Sequence, residues 1–486
     1  MIKKILLIIH ILLITGCASV QNSVKQLAGA ESVRYLDSVK GTHTARNNAT
    51  PLNPELSVKQ WLYQDKAIVR LPTLESALNK RLERLLTQIP EYTLKPRVYI
   101  STQPNFEAHT LPDGGIFIPI GALYQVEYEE EIDALLAHEL AHLLLGHQAS
   151  DTVQQVSKNL LGKAGAGDGK FFESIGASQL IDNIAFNLWN EQEESEADQL
   201  GAELLISAGI DYSAMSMVVK KIAAYKEIIP NKHTEKENKP SESKRQFSTK
   251  DLNEAPKDSL IVDDSKYTLT EITRISNSWI SAGAKTLGIQ SHGFSEERIT
   301  AIEEHIQSNF PALSMAPAFT DAKYKQVAEV ETLFDFGSKF TTLVKNGDFN
   351  QANQIGKKAI SGRLSDSAYT RFYLYQLRIR QGNANAAEYN LNKAWKSPDK
   401  PMYVYQYLLK QFDDNKDKDT VLALVNTIVK EFDNPTSFLP DRIHYLSKYK
   451  GASENAINLL SYKCVGLMET TEVERCAKAA DGKLYL

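Results

Sequence analysis

The sequence predicts a mainly α protein: an α+β domain with a small sheet, followed by an α-helical repeat domain. Three observations lead there. At 486 residues the chain is too long for a single core. Apolar residues recur at helical spacing through most of its length, broken near residue 100 by two short strand-like runs. Beyond residue 318, Gly and Ala recur at a period of about 35 residues, as in stacked helix pairs. A hydrophobic content of 42% and a charged content of 24% are ordinary for a globular protein. The net charge of −5, with no basic stripe, argues against nucleic acid as a main partner.

The elements follow in chain order. Residues 1–17 read as a secretory signal, with Lys3 and Lys4, an apolar run too short for a comfortable membrane span, and small residues before a cysteine. The stretch "ITGC" resembles a bacterial lipoprotein signal, which implies that Cys17 is lipidated and anchors the chain; an ordinary signal cut near Ala18 is the alternative. Residues 18–59 are mixed and polar, as in a tether. Segment 73–90 has helical spacing and stops at Pro90. "KPRVYIST" and "GGIFIPIGAL" read as strands, with Pro119 suiting an edge position. An extended substrate adding beside 115–120 is the docking mode this suggests. Residues 129–148 form a helix with an acidic first turn, which suits the helix dipole.

"GKAGAGDGK" is Gly-rich but Phe171 follows its last Lys, so it is no phosphate loop. Residues 171–208 read as one helix or two in series, with Phe172, Leu180, Ile184 and Leu188 along a packing stripe. Residues 230–260 are charged and nearly devoid of large apolar side chains, the composition of a mobile insert. Gly347 and Gly382, Ala352 and Ala387, and Ala359 and Ala394 are each 35 residues apart, and Gly451 and Ala456 fall about two periods on. This resembles tetratricopeptide helix pairs, whose stacks bind extended segments on a concave face; a plain helical bundle is the alternative. The expected domains are therefore 60–317 and 318–486. Cys464 and Cys476 fit a disulfide, and fit two buried thiols as well.

The chemistry is concentrated in "LLAHELAHLLLGHQ", residues 135–148. His138 and His142 stand four apart, so both imidazoles leave one helix face and reach one metal ion. Glu139 is placed to act on a water at that ion. Two histidines among leucines are costly to bury unless something satisfies them, and a metal does. A third ligand is needed, and "NEQEESEADQLG" offers Glu194, with Asp198 four residues on to accept a ligand histidine's second ring N–H. A merely solvated acidic face is the alternative. His147 lies five residues past His142, about 140° around the helix, and so is expected to point away from the metal. His109, His305 and His444 read as capping or packing residues.

"HELAH" followed by "ESEAD" resembles the gluzincin metallopeptidases, the family of HtpX, the CAAX prenyl proteases and BepA. With the lipoprotein-type start and the helical repeats behind, the architecture resembles the BepA-like periplasmic members. The resemblance implies a zincin-type metalloprotease fold over about residues 60–310, one Zn2+ per chain on His138, His142 and Glu194, Asp198 behind them, and Glu139 as general base. "LPDGGIFIPIGAL" is similar to the family's turn and edge strand. "SHGFSEERI" supplies His292 and Arg298, with Gly293 where the family carries Pro. The family's pattern would place His292 beside the metal, as an oxyanion partner or a gate on the fourth position, and Arg298 as support for Glu194.

The function implied is a zinc endopeptidase on the periplasmic side of the bacterial outer membrane. It would act on unfolded or misassembled outer-membrane proteins and engage their assembly machinery. A non-proteolytic periplasmic chaperone or adaptor with a silenced or structural zinc site is the alternative, and a peptidoglycan or small-peptide hydrolase a third reading.

Overall fold

The computed structural model describes residues 34–46, 52–147, 191–228, 296–313 and 318–484, apart from positions 91, 93, 94, 436, 437, 468, 469 and 483. The expected signal with Cys17, the Gly-rich stretch, the whole 172–188 stripe, the 230–260 insert and His292 lie outside the described residues.

A four-stranded sheet has the order β1 (Ile68–Val69), β2 (Arg97–Ser101), β4 (Gly115–Pro119), β3 (His109–Thr110). β2 and β4 run parallel, with Val98 opposite Ile116 and Ile100 opposite Ile118, while β1 and β3 pair antiparallel at the two margins. Strand 115–119 therefore has neighbours on both sides, which corrects the expectation that it is the edge. The loop after β2 returns as a two-residue strand too short to announce itself in sequence, and this becomes the outer strand. The strand-like run also ends sooner than expected. Pro119 caps a short helix, Ile120–Gln125, in which Gly121 lies so near the carbonyls of Pro104 and Asn105 that a Cβ would meet them at 2.2 and 1.9 Å.

Both faces of the sheet are buried, and the period of two divides them. Val98, Ile100, Ile116 and Ile118 point into one core, against α3 (Pro72–Leu86) and α5 (Glu129–Leu145). Tyr99 and Phe117 point into a second core, where Phe117 stacks on Trp61 of α2 (Pro54–Tyr63) at 4.1 Å between ring centroids. That second core is completed by Phe372, Tyr375, Tyr403 and Leu408 from the C-terminal helices. The expected boundary at 317/318 is thus no break in packing, because an apolar sheet face needs cover and the C-terminal helices provide it. The expected tether is also folded in part. Helix α1 (Tyr35–Arg46) buries Leu36 and Val39 in the first core, and the buried Glu203 carboxylate accepts the Tyr35 and Leu36 N–H groups at its start.

The C-terminal region consists of helices in pairs: Ala328–Asn346 with Phe349–Lys358, Ala368–Arg380 with Ala384–Lys396, Met402–Asp414 with Lys418–Glu431, and Leu439–Lys448 with Glu454–Leu467. Each pair turns through one residue in the left-handed region: Gly347 (φ +81), Gly382 (φ +69), Lys416 (φ +57) and Lys450 (φ +51). Asn383, Asp417 and Ser453 then accept an N–H of the next helix's first turn. Ala352, Ala359, Ala387 and Ala394 are fully buried where the helices meet. Cys464 and Cys476 form a disulfide, linking Glu454–Leu467 to the last helix, Thr470–Ala480. Among the described residues no helix is long and apolar enough to cross a membrane.

Since Phe117 joins the sheet to the C-terminal core, Phe117→Ala should lower the stability of the whole chain by about 3–5 kcal/mol in urea unfolding. A loss confined to one of two separate transitions would show that the halves fold independently.

Candidate metal centre

Helix α5 is set by its first turn. Glu131 Oε1 accepts the N–H groups of Glu127 and Tyr128, Arg81 pairs with Asp133 at 2.8 Å, and Lys221 reaches Glu131 at 2.7 Å. The next two turns are buried almost without exception, and they carry His138, Glu139 and His142, each 3% exposed or less.

Helix α6 (Glu191–Ser207) packs along it. Glu194, Asp198, Gly201 and Leu205 share one face of α6 by helical spacing. Gly201 permits the close approach, since a Cβ there would stand 3.3 Å from the His138 backbone nitrogen and 2.5 Å from Met215 Cε. The result is a convergence. His138 Nε2 and His142 Nε2 are 3.1 Å apart, and the Glu194 carboxylate lies 3.6 Å from the first and 3.4 Å from the second. Ligand atoms of these three buried residues all fall within 4.8 Å of one another.

The donor set fits a metal ion. His138 Nδ1 donates to Asp198 Oδ1 at 3.0 Å, so its Nε2 turns a lone pair toward the cluster. Burial pushes the His142 imidazole well below its usual value, outweighing the pull of Glu194, so that ring is neutral as well. Two neutral ring nitrogens and one carboxylate, meeting at one point, form a three-ligand set of the kind that leaves a catalytic metal one open position.

Arg298, on α8 (Glu296–Asn309), closes the cluster from behind. Its guanidinium grips Asp198 twice, Nε to Oδ2 at 2.7 Å and an Nη to Oδ1 at 2.9 Å, and meets Glu194 Oε2 at 3.0 Å. Burial pushes the Asp198 carboxyl up, but Arg298, together with the His138 contact, outweighs this and holds it below the usual carboxylate range. Arg298 is only 2% exposed and supports the ligands, so it is a positioning residue and not one that meets substrate.

His147 corrects the sequence reading. The 140° extrapolation assumes that the helix continues, but Gly146 adopts φ +73 and ends it, its N–H bonding to the His142 carbonyl. The chain folds back, and His147 Nδ1 lies 2.8 Å from His142 Nδ1. The Gly in "LLGHQ" was the available signal, since Gly is the usual residue for a left-handed helix end. Of the other histidines, His109 lies in β3, His305 bonds Glu203 at 2.6 Å and His444 is buried under the C-terminal helices.

Loss of the guanidinium leaves two buried carboxylates without their cation, so Arg298→Met should cost about 3–5 kcal/mol. The pH dependence follows from the sign of the Asp198 shift. A carboxyl held low contributes stability above its unfolded value, about pH 4, and that contribution disappears as pH falls. In Arg298→Met burial is no longer outweighed, the carboxyl rises above its unfolded value and the sign reverses. The variant's deficit against the parent should therefore narrow as pH falls, as urea unfolding at a series of pH values would record; a deficit independent of pH would remove Arg298 from this role.

The family model described as peptidase family M48 matches residues 72–306. Metalloprotease LoiP of Escherichia coli (strain K12) is 28% identical over 162 residues, which covers 32% of this chain and 60% of that protein. The match thus spans less than two thirds of that relative's length. The matched segment contains every residue of the cluster, from the α5 histidines through Glu194 and Asp198 to Arg298. The similarity to peptidase family M48 therefore falls on the part of the chain that holds the candidate metal ligands.

Proposed function

We propose that this protein is a zinc-dependent endopeptidase of the bacterial periplasm. It is tethered through Cys17 to the periplasmic side of the outer membrane, and it cuts unfolded or misassembled envelope proteins, outer-membrane proteins above all. The observation that carries the reading is the convergence of His138, His142 and Glu194, with Glu139 beside the first ligand in sequence. The Cys464–Cys476 disulfide supports an oxidising compartment and therefore export. The recurring helix turns support tetratricopeptide-like pairs that hold a client or a component of the assembly machinery.

Zinc on the three ligands would supply Lewis acidity, polarising a peptide carbonyl and acidifying a water. Glu139 takes the proton of the attacking water and returns it to the leaving amine. Asp198 keeps His138 in the ligating tautomer, and Arg298 pairs with both Glu194 and Asp198 where each is buried. Thr110 Oγ1 donates to the Glu139 carbonyl at 3.2 Å, tying β3 to the helical turn that carries the base.

β3 is also the strand that a client would extend. Leu111 N–H bonds the Gly115 carbonyl inward, so by antiparallel alternation the Thr110 N–H and C=O face away from β4. A peptide adding there is held mainly by its backbone, with little sequence preference, which suits unfolded clients.

Glu139→Gln should bind zinc and yet cleave an unfolded outer-membrane protein about 10²–10⁴-fold more slowly than the parent. Equal fragment yields from the two would remove Glu139 as the base, and none from either with zinc bound would move the function to a non-proteolytic chaperone. Thr110→Pro should lower peptide turnover with zinc retained, while Thr110→Val, which keeps the outward N–H, should lower it far less. Normal turnover in Thr110→Pro would remove this docking mode.

A further inference from the structure

His147 and Glu196 lie outside the ligand set, yet they form a line that ends on a ligand. His142 Nδ1 meets His147 Nδ1 at 2.8 Å, and His147 Nε2 meets Glu196 Oε2 at 3.4 Å. Gln192 Nε2 donates to the other Glu196 oxygen at 2.9 Å and so orients the carboxylate. His147 is 5% exposed, whereas the Glu196 side chain is 27% exposed, so the line runs from the rim of the site into its centre.

The arrangement has one consistent proton assignment when His142 ligates through Nε2. A carboxylate only accepts, so Glu196 requires the His147 proton on Nε2. That leaves His147 Nδ1 as an acceptor. His142 Nδ1 must then carry the proton it donates, and the lone pair of His142 falls on Nε2, where it faces His138 Nε2 and Glu194. With a single proton on each ring, the opposite arrangement would put a proton on His142 Nε2 and abolish ligation.

We infer that His147 and Glu196 are positioning residues for the metal centre, a tautomer relay that sets His142 to ligate just as Asp198 sets His138. The inference rests on the metal reading given above. It makes the centre two-sided: Arg298 and Asp198 orient one histidine from α8 and α6, while Glu196 and His147 orient the other through the left-handed turn at Gly146.

The test is zinc affinity of the full chain, measured by competition with a chromophoric chelator. His147→Leu fills space without accepting a hydrogen bond and should weaken zinc binding about tenfold or more, the usual cost of losing a ligand's orienting partner. His147→Gln retains an acceptor oxygen for His142 and a donor for Glu196, and should restore most of that loss. Glu196→Ala should weaken zinc, and Glu196→Gln, whose amide oxygen still accepts, should weaken it less. Parental affinity in His147→Leu overturns the relay, as do equal losses in the Leu and Gln variants. A parent that binds no zinc at all overturns the metal reading itself, and the relay with it.

Discussion

The folded centre depends on one buried guanidinium. Glu194 and Asp198 stand one turn apart on the same helix, 1% and 0% exposed, where two like charges out of water would otherwise force one of them to take a proton. Arg298 meets both, with two contacts to one carboxylate and one to the other. Desolvation is therefore matched by well-formed charged hydrogen bonds, the condition under which a buried ion pair is tolerated. The converging groups inherit their positions from that clamp, because Asp198 orients His138 and Glu194 is one of the three.

The legible part of this centre is the part governed by local spacing. His138, Glu139 and His142, and then Glu194 and Asp198, lie at intervals of one to four residues on single helices, so helical geometry brings each set to a common face whatever the tertiary fold. Arg298 is a hundred residues from Asp198, and no periodicity links them; only the likeness of "SHGFSEERI" to a family pattern singled it out. His147 was misplaced for the opposite reason, since a local rule was carried one residue past the point where Gly146 ends it.

The same division holds for the fold. α3 and α5 were visible as periodic segments with clear ends, and β2 and β4 as apolar runs. β1 and β3, at two residues each, carry too little pattern to register, and β3 is the strand bonded to the helix of His138 and His142. In the C-terminal half, Gly347 and Gly382 betrayed a period that Lys416 and Lys450 continue unseen, since a lysine in the left-handed region looks like any other surface lysine. The structure also places the third recurrence at Lys450, one residue before the Gly451 that the sequence alignment chose.

The aromatic face formed by Trp61, Tyr99 and Phe117 has a consequence for how this architecture can change over time. A domain whose sheet was finished on both sides by its own helices could be separated from its neighbours without exposing that sheet. Here the far side of the sheet is roofed by residues contributed from beyond position 368, so cutting the chain at its apparent midpoint would leave an oily aromatic surface exposed to water. A cut between the two halves would therefore bare this shared wall on both fragments.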